Sequence, residues 1–259
     1  MLRSKLMWLH WFLSSQLGMD PMRTLRSLRG IPRYLADLRK FRAGHKGSLN
    51  LSPCLYDWYE EGGATRTEYF WQDLLVAQKI FRHAPKRHVD IGSRIDGFVA
   101  HVASFREIEV YDVRPITAVI PNIHFRQADL MRGLEIEDPC CDSLSCLHAL
   151  EHFGLGRYGD PVDPYGWRSG LANMSRLLHS GGHFYLSVPV GRERVEFNAN
   201  RVFDAATLVA EAVHLNLRLL SLEIVEEGHK ITCVDVDSGS LQSLAHMEYA
   251  LGMLTFVKG

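Results

Sequence analysis

From residue 87 onward, short apolar runs alternate with helical patterns, and that alternation admits few architectures. The runs are "RHVDIG" (87–92), "EIEVYDV" (107–113), "IHFRQAD" (123–129), "DSLSCLHA" (142–149), "GHFYLSVPV" (182–190), "LRLLSLEIV" (217–225) and "MLTFVKG" (253–259). Apolar residues recur at helical spacing between them, at 97–104, 165–179 and 205–215. Strands joined through helices pair in parallel, because each crossover returns the chain to the same end of the sheet. One further helix precedes the set. Thr65-x-x-Glu68 has the form of a capping box, and Tyr69, Phe70, Leu74, Leu75 and Ile80 follow at helical spacing until Pro85. The expectation is a parallel sheet covered by helices. The 259 residues suffice for one large α/β domain and an added arm.

Residues 1–46 differ in composition from the rest, which sets the expected domains at 1–46 and 47–259. Arg23, Arg26, Arg29, Arg33, Arg39, Lys40, Arg42 and Lys46 face only Asp20 and Asp37. Leu25, Leu28, Ile31, Tyr34, Leu35, Leu38 and Phe41 recur at helical spacing, with a break expected around Gly30-Ile31-Pro32. Two readings stand for this basic arm: a membrane-surface or partner-docking element, or a helical cap with a solvated basic face. The apolar stretch at 6–13 is far too short to span a bilayer. A cytoplasmic protein, with the arm able to place it at the membrane periphery, is the expected location. Five cysteines in odd number without C-x-x-C indicate reduced thiols and no cysteine zinc site. With 29 Lys and Arg against 30 Asp and Glu, global charge gives no reason to expect nucleic acid.

The chemistry gathers at the ends of the first strands. "VDIGSRIDGF" places Asp90, a tight turn at Gly92 and then a helix start, whose free N–H groups make a ligand cradle. Asp112 ends the second run and lies at the distance from Gly92 where a carboxylate meets ribose hydroxyls. Asp129 ends the third. In a parallel sheet these three ends share one edge, where open α/β sheets bind ligands.

Here the chain resembles the class I S-adenosylmethionine-dependent methyltransferases over residues 65–259. "VDIGSRIDGF" looks like their glycine-rich first motif, "CDSLSCLHALEHF" their fourth strand and turn, and "LLHSGGHFYLSVPVG" their entry to the fifth strand. The resemblance implies a Rossmann-like, seven-stranded, mostly parallel sheet with an antiparallel last strand inserted between strands five and six. It implies S-adenosylmethionine as cofactor, held by Asp90, Gly92, Arg94, Gly97, Asp112, Asp129, Leu130 and His148. The order of "GSRIDGF", "ALEHFGLGRYGDP" and "FNANRVF" is similar to a little-characterised family of unknown function, some of whose members sit among polysaccharide-synthesis genes. One departure stands out: Arg94 and Asp96 replace the second and third glycines of the loop. Arg94 then has three candidate partners: the cofactor carboxylate, Asp90 or Asp96. A scaffold that has lost catalysis and serves as a binding protein is the alternative. A nicotinamide enzyme would want Gly-x-Gly-x-x-Gly after the first strand, which is absent.

"HALEH" (148–152) reads literally as a zinc-peptidase signature, with Glu223, Glu226 or Glu227 as a distant third ligand. That motif needs a helix, whereas "DSLSCL" before it reads as strand. His152 is the first candidate base for methyl transfer and His148 the second, against the reading that either ring only packs or caps a turn. "GLGRYGDPVDPYGW" (154–167) is expected to form a lid or substrate wall through Tyr158, Tyr165 and Trp167. "GRERVEFNANRVF" (191–203) offers Arg192, Arg194, Asn198, Asn200 and Arg201. Those groups suit a small polar acceptor, a glycan hydroxyl or a phosphorylated sugar. For both stretches the alternative is an ordinary solvated loop.

Overall fold

A computed structural model describes residues 2–63, 65, 67–133, 139–226 and 230–259, with side chains from residue 9. The chain forms two compact units, Met1–Ala64 and Thr65–Gly259.

The first unit contains α1 (Leu2–Gln16) and α2 (Pro21–Gly44). Asp20 caps α2, its carboxylate accepting from the N–H groups of Met22 and Arg23, and Pro21 occupies the first turn, where its missing N–H is harmless. The expected break at Gly30-Ile31-Pro32 does not occur: α2 runs through Pro32. Neighbouring chain supports the helix there. A Cβ on Gly30 would stand 1.9 Å from the Leu55 carbonyl oxygen, so glycine lets that segment pack directly on the helix. Arg23 also reaches Tyr56, and Arg33 lies over Trp58. These contacts carry the compact unit beyond residue 46, where the change in composition lies.

In the second unit α3 (Glu68–His83) is capped by Thr67, whose Oγ1 accepts from Phe70 N–H, rather than by Thr65. The chain continues through β1 (His88–Ile91), a π-helical turn Ile95–Val99 running into α4 (Ala100–Ala103), β2 (Ile108–Asp112), β3 (Ile123–Gln127) and β4 (Cys141–Leu147). Then come α5 (Gly166–Leu177), β5 (Leu178–Val190), a hairpin of β6 (Arg194–Glu196) and β7 (Asn200–Val202), and α6 (Ala205–His214). The last elements are β8 (Leu217–Val225), β9 (Ile231–Val234), α7 (Ser238–Ser243) and β10 (Ala250–Lys258).

The main sheet has the order β3-β2-β1-β4-β5-β10-β8-β9. Strands β1 to β5 are parallel, and β10 inserts antiparallel between β5 and β8, as the resemblance implied. Eight strands replace the expected seven. The extra one, β9, pairs antiparallel with β8 at the edge. Its Ile-Thr-Cys-Val is apolar enough for a strand, but four residues are too few to show a period.

Alternation along the strands divides the core between the two faces of the sheet. Phe184, Leu186 and Val188 pack with Leu171 and Met174 of α5 and Leu208 of α6. Tyr185 points the other way, into a cluster with Val76 and Ile80 of α3, Phe98 and Val102. Strand order reverses direction between β1 and β4, so a crevice opens at their carboxyl ends.

Candidate functional site

Gly92 makes the turn at the end of β1 with φ 71°, and its N–H donates to the Tyr111 carbonyl at 2.8 Å. A Cβ there would approach Ala149 Cβ to 2.9 Å, and a side chain would enter the crevice. Asp90 stands behind this turn, fully buried. Its carboxylate accepts from Ser93 N–H (3.0 Å), Ser93 Oγ (2.6 Å) and Ser145 Oγ (2.5 Å). Burial pushes Asp90 up to about 7, against the pull of the Ser145 and Ser93 hydrogen bonds. These bonds hold the turn, and Asp90 itself does not line the crevice. Gly97 is likewise outside the crevice lining; a Cβ on it would strike Asp73 Oδ2 at 2.4 Å.

The crevice is open to solvent, and the space in it counting its mouth is ≈ 800 Å³. Ile91, Tyr111, Val113, Ala128, Leu130, Met131, Ala149 and Phe153 give it apolar walls, and Asp112 and Asp129 place carboxylates along them. Asp129 Oδ1 accepts from Met131 N–H at 3.0 Å, which fixes the turn after β3. Asp112 Oδ1 accepts from Arg114 N–H (2.7 Å) and Nε (3.0 Å), and its Oδ2 accepts from Arg114 Nη2 (2.7 Å). A carboxylate has about four acceptor positions, so one on Oδ2 stays available. Of its three candidate partners within the sequence reading, Arg94 takes Asp96, at 3.1 and 2.7 Å.

The opposite wall begins where β4 ends. His148 has φ 50°, an uncommon backbone for a non-glycine residue. Leu150–His152 then form a single 3-10 turn, so HALEH does not align its histidines on a helix face as the peptidase motif requires. Of the distant glutamates, Glu223 is paired with Lys79 and Glu226 accepts from Thr232, while Glu227 lies outside the described residues. His148 Nδ1 bonds Glu151 Oε1 at 2.7 Å. Its Nε2 lies 3.3 Å from Glu68 Oε1 but out of line for a hydrogen bond, and Glu151 Oε2 has no hydrogen-bond partner. Burial opposes charge on His148, but Glu151 and Glu68 outweigh it and raise the ring to about 9. His148 is therefore an ion-paired cation at neutral pH, which removes it as a resting base.

His152 differs. Its Nδ1–H donates to the Ala199 carbonyl at 2.7 Å, which leaves Nε2 unprotonated in the neutral ring. Burial lowers its pKa below 6.5, Arg157 adding to the effect and Glu151 opposing it. Arg157 Nη1 donates to the same Ala199 oxygen at 2.8 Å and makes no ion pair among the described residues. Tyr158 meets the His152 ring edge-on at 5.4 Å, and the guanidinium groups of Arg114 and Arg157 lie 4.4 and 5.1 Å from its ring centre. Asp160 shapes this loop: its carboxylate accepts from the N–H groups of Gly154, Gly156 and Tyr158.

Sequence reasoning and structure divide over the remaining candidates. Gly92, Arg94, Asp112, Asp129, Leu130, His148, His152 and Tyr158 all line the crevice. Tyr165 is exposed outside it and Trp167 is core, packed on Phe203. Arg192 pairs with Glu248 on the surface, and Arg194 binds Glu196 and the Glu248 carbonyl. Arg201 is buried and donates to the carbonyls of Glu151, Phe153 and Pro164, so it fastens the turn after β4. Asn198 and Asn200 do not line the crevice either. Tyr69, Arg114, Arg157 and Asp160 do, and the sequence reading missed them in that role. Tyr69 and Arg114 directly follow or neighbour residues it had noted, Glu68 and Asp112, which was the available signal.

The His148–Glu151 pair predicts a pH dependence of stability. His148 titrates near 6.5 unfolded and about 9 folded, so its stabilisation is complete below about pH 6.5 and is lost as pH rises through 9. Asp90, raised to about 7, is half ionised there and finishes its own change about one unit higher. Urea unfolding between about pH 8 and 9 should therefore show falling stability, and a His148→Gln variant should lose most of that slope. A wild-type curve that is flat or rising over this window would mean that the pair does not form.

Comparison with known proteins agrees with this architecture. Residues 127–246 match the model of a family described as "Caenorhabditis protein of unknown function, DUF268". No curated protein sequence matches the chain. Among solved structures, it is similar to a TehB-like SAM-dependent methyltransferase from Corynebacterium glutamicum (TM-score 0.51, 15% identity, covering 88% of this chain and 97% of that one). It is also similar to the 1,6-didemethyltoxoflavin-N1-methyltransferase of Burkholderia thailandensis, solved with 1,6-didemethyltoxoflavin and S-adenosylhomocysteine (TM-score 0.50, 14% identity, 93% and 92% covered). A third is the [4+2]-cyclase SpnF (TM-score 0.51, 16% identity, 72% and 81% covered). The fold is thus the Rossmann-like fold of the class I methyltransferases. At such identities the likeness establishes the fold alone, and the cyclase shows that this fold serves more than one chemistry.

Proposed function

We propose that this protein is an S-adenosylmethionine-dependent methyltransferase that acts on a hydroxyl of a small polar acceptor, a sugar or phosphorylated sugar being the class that fits. The observation that carries the reading is His152 on the wall of the crevice that Gly92, Asp112 and Asp129 also line, with Nδ1 tied to the Ala199 carbonyl, a lowered pKa, and Nε2 3.7 Å from Glu151 Oε1. The crevice fits the cofactor chemically: a carboxylate acceptor position on Asp112 for ribose, apolar walls for the base, and Arg94 with Tyr69 toward the methionine end. Gly92 keeps the floor clear. The cofactor, when bound, supplies an electrophilic methyl group on sulfur. His152 Nε2 removes the proton of the acceptor hydroxyl, and the Ala199 carbonyl holds the ring in the required tautomer. Arg157, fixed by the same carbonyl, leaves most of its N–H groups for acceptor oxygens or an anionic substituent. Arg192, Arg194 and Arg201 have other partners, so the acceptor reading rests on Arg157.

Calorimetry with S-adenosylhomocysteine tests the cofactor part. Asp112→Ala should weaken binding by about 10–100-fold, the effect of losing a charged hydrogen bond. A wild-type protein that binds neither S-adenosylmethionine nor S-adenosylhomocysteine would reject the reading in favour of a catalytically silent scaffold.

A further inference from the structure

Helix α2 has two faces. Ser27, Gly30, Tyr34 and Leu38 are its less exposed positions and form one stripe, with Gly30 against the Leu55 carbonyl. A second stripe, about 110° round the helix, carries Leu25, Leu28, Ile31 and Leu35, exposed by 52%, 58%, 38% and 53%. Spaced three to four residues apart, these side chains form one continuous aliphatic strip. Arg29, Arg39 and Arg42 lie along and beside it, all exposed. Trp11, Leu17, Met19 and Met22 expose further apolar surface around the turn from α1.

Charge selects the occupant. Of the chain's 29 Lys and Arg and 30 Asp and Glu, residues 1–46 hold ten and two, leaving 19 and 28 elsewhere. A second copy of so basic an arm would be repelled. A phosphate backbone would satisfy the arginines but leave the aliphatic strip in water. An anionic lipid surface satisfies both: the aliphatic groups enter the acyl boundary, and the arginine stems extend along it so that guanidinium groups reach lipid phosphates. Among the described residues no helix is long and apolar enough to cross a membrane. We propose that α2 lies in the plane of an anionic membrane surface and docks the protein there, independently of what the crevice catalyses.

The test uses the full chain and sedimentation with phosphatidylcholine vesicles, with and without about 30% phosphatidylglycerol, at about 0.1 and 0.5 M salt. Binding should need phosphatidylglycerol and weaken at the higher salt. R29E/R39E/R42E should lower affinity by about 100-fold, from a contribution near 1 kcal/mol per basic residue. L28S/L35S should lower it by about tenfold or more. Unchanged melting curves would show that both variants fold. Equal binding to neutral vesicles, no binding to anionic ones, or folded variants that bind like wild type would overturn the proposal. A dimer that L28S/L35S dissociates and that ignores vesicles would overturn it too, and would make this face a self-interface.

Discussion

Replacing His152 with asparagine is expected to slow methyl transfer by about 10²–10⁴-fold, the usual contribution of a general base. The asparagine amide nitrogen stands where Nδ1 stood and can still donate to the Ala199 carbonyl, so the turn should hold. Affinity for S-adenosylhomocysteine should be unchanged, because the proposed cofactor contacts are Gly92, Asp112 and Asp129, which line the crevice apart from His152 in sequence. Single-turnover transfer of labelled methyl to a panel of sugars and sugar phosphates measures the effect. In the wild-type protein the acid limb of the rate profile should lie below pH 6.5, since burial lowers the His152 pKa and the base works only when neutral. A variant that retains full rate would leave His152 as a packing residue and point to an acceptor that needs no base.

Glu151→Ala should be the most damaging single change to stability, at about 3–5 kcal/mol. Glu151 is buried, and it is the hydrogen-bonded partner of the buried His148 cation. Its removal leaves the buried His148 with Glu68 alone, at 3.3 Å and out of line for a hydrogen bond. His148 would then shed its proton, and the strained backbone after β4 would lose its tie to the turn that carries His152. Chemical denaturation reads this directly. A loss under about 1 kcal/mol would mean that Glu68 takes over the pair.

Neighbouring letters of the sequence thus have opposite fates. In HALEH, both histidines follow the same strand and look equivalent on paper. His148 lies between two carboxylates and is held charged; His152 has Glu151 Oε1 3.7 Å from its Nε2, yet burial, with Arg157, holds it below 6.5. Glu151 and Arg157 are local, but Glu68 and Ala199 come from distant parts of the chain, so the local pattern does not reveal which histidine is which. The arginines show the same limit. Arg192, Arg194 and Arg201 sit on the segment after β5 and were natural candidates, yet carbonyls and carboxylates of their own surroundings absorb them. Arg157 sits in a glycine-rich loop and is turned into the crevice by three backbone N–H bonds to Asp160 nearby.

The insertion of the last strand was implied by the resemblance to the class I methyltransferases. The sequence alone determined the layered α/β class, the parallel strands and the shared edge of Gly92, Asp112 and Asp129. These follow from periodicity and from side chains at strand ends, and both are local properties that a parallel sheet turns into a common edge. Tertiary structure alone decided the state of each histidine, the capture of Asp112 by Arg114, the withdrawal of Asp90 behind its turn and the continuity of α2 through Pro32. Each depends on desolvation or on a partner far away in the chain. Charge state and hydrogen bonding in a protein are set by what surrounds a side chain in space, and spacing along the chain does not encode that.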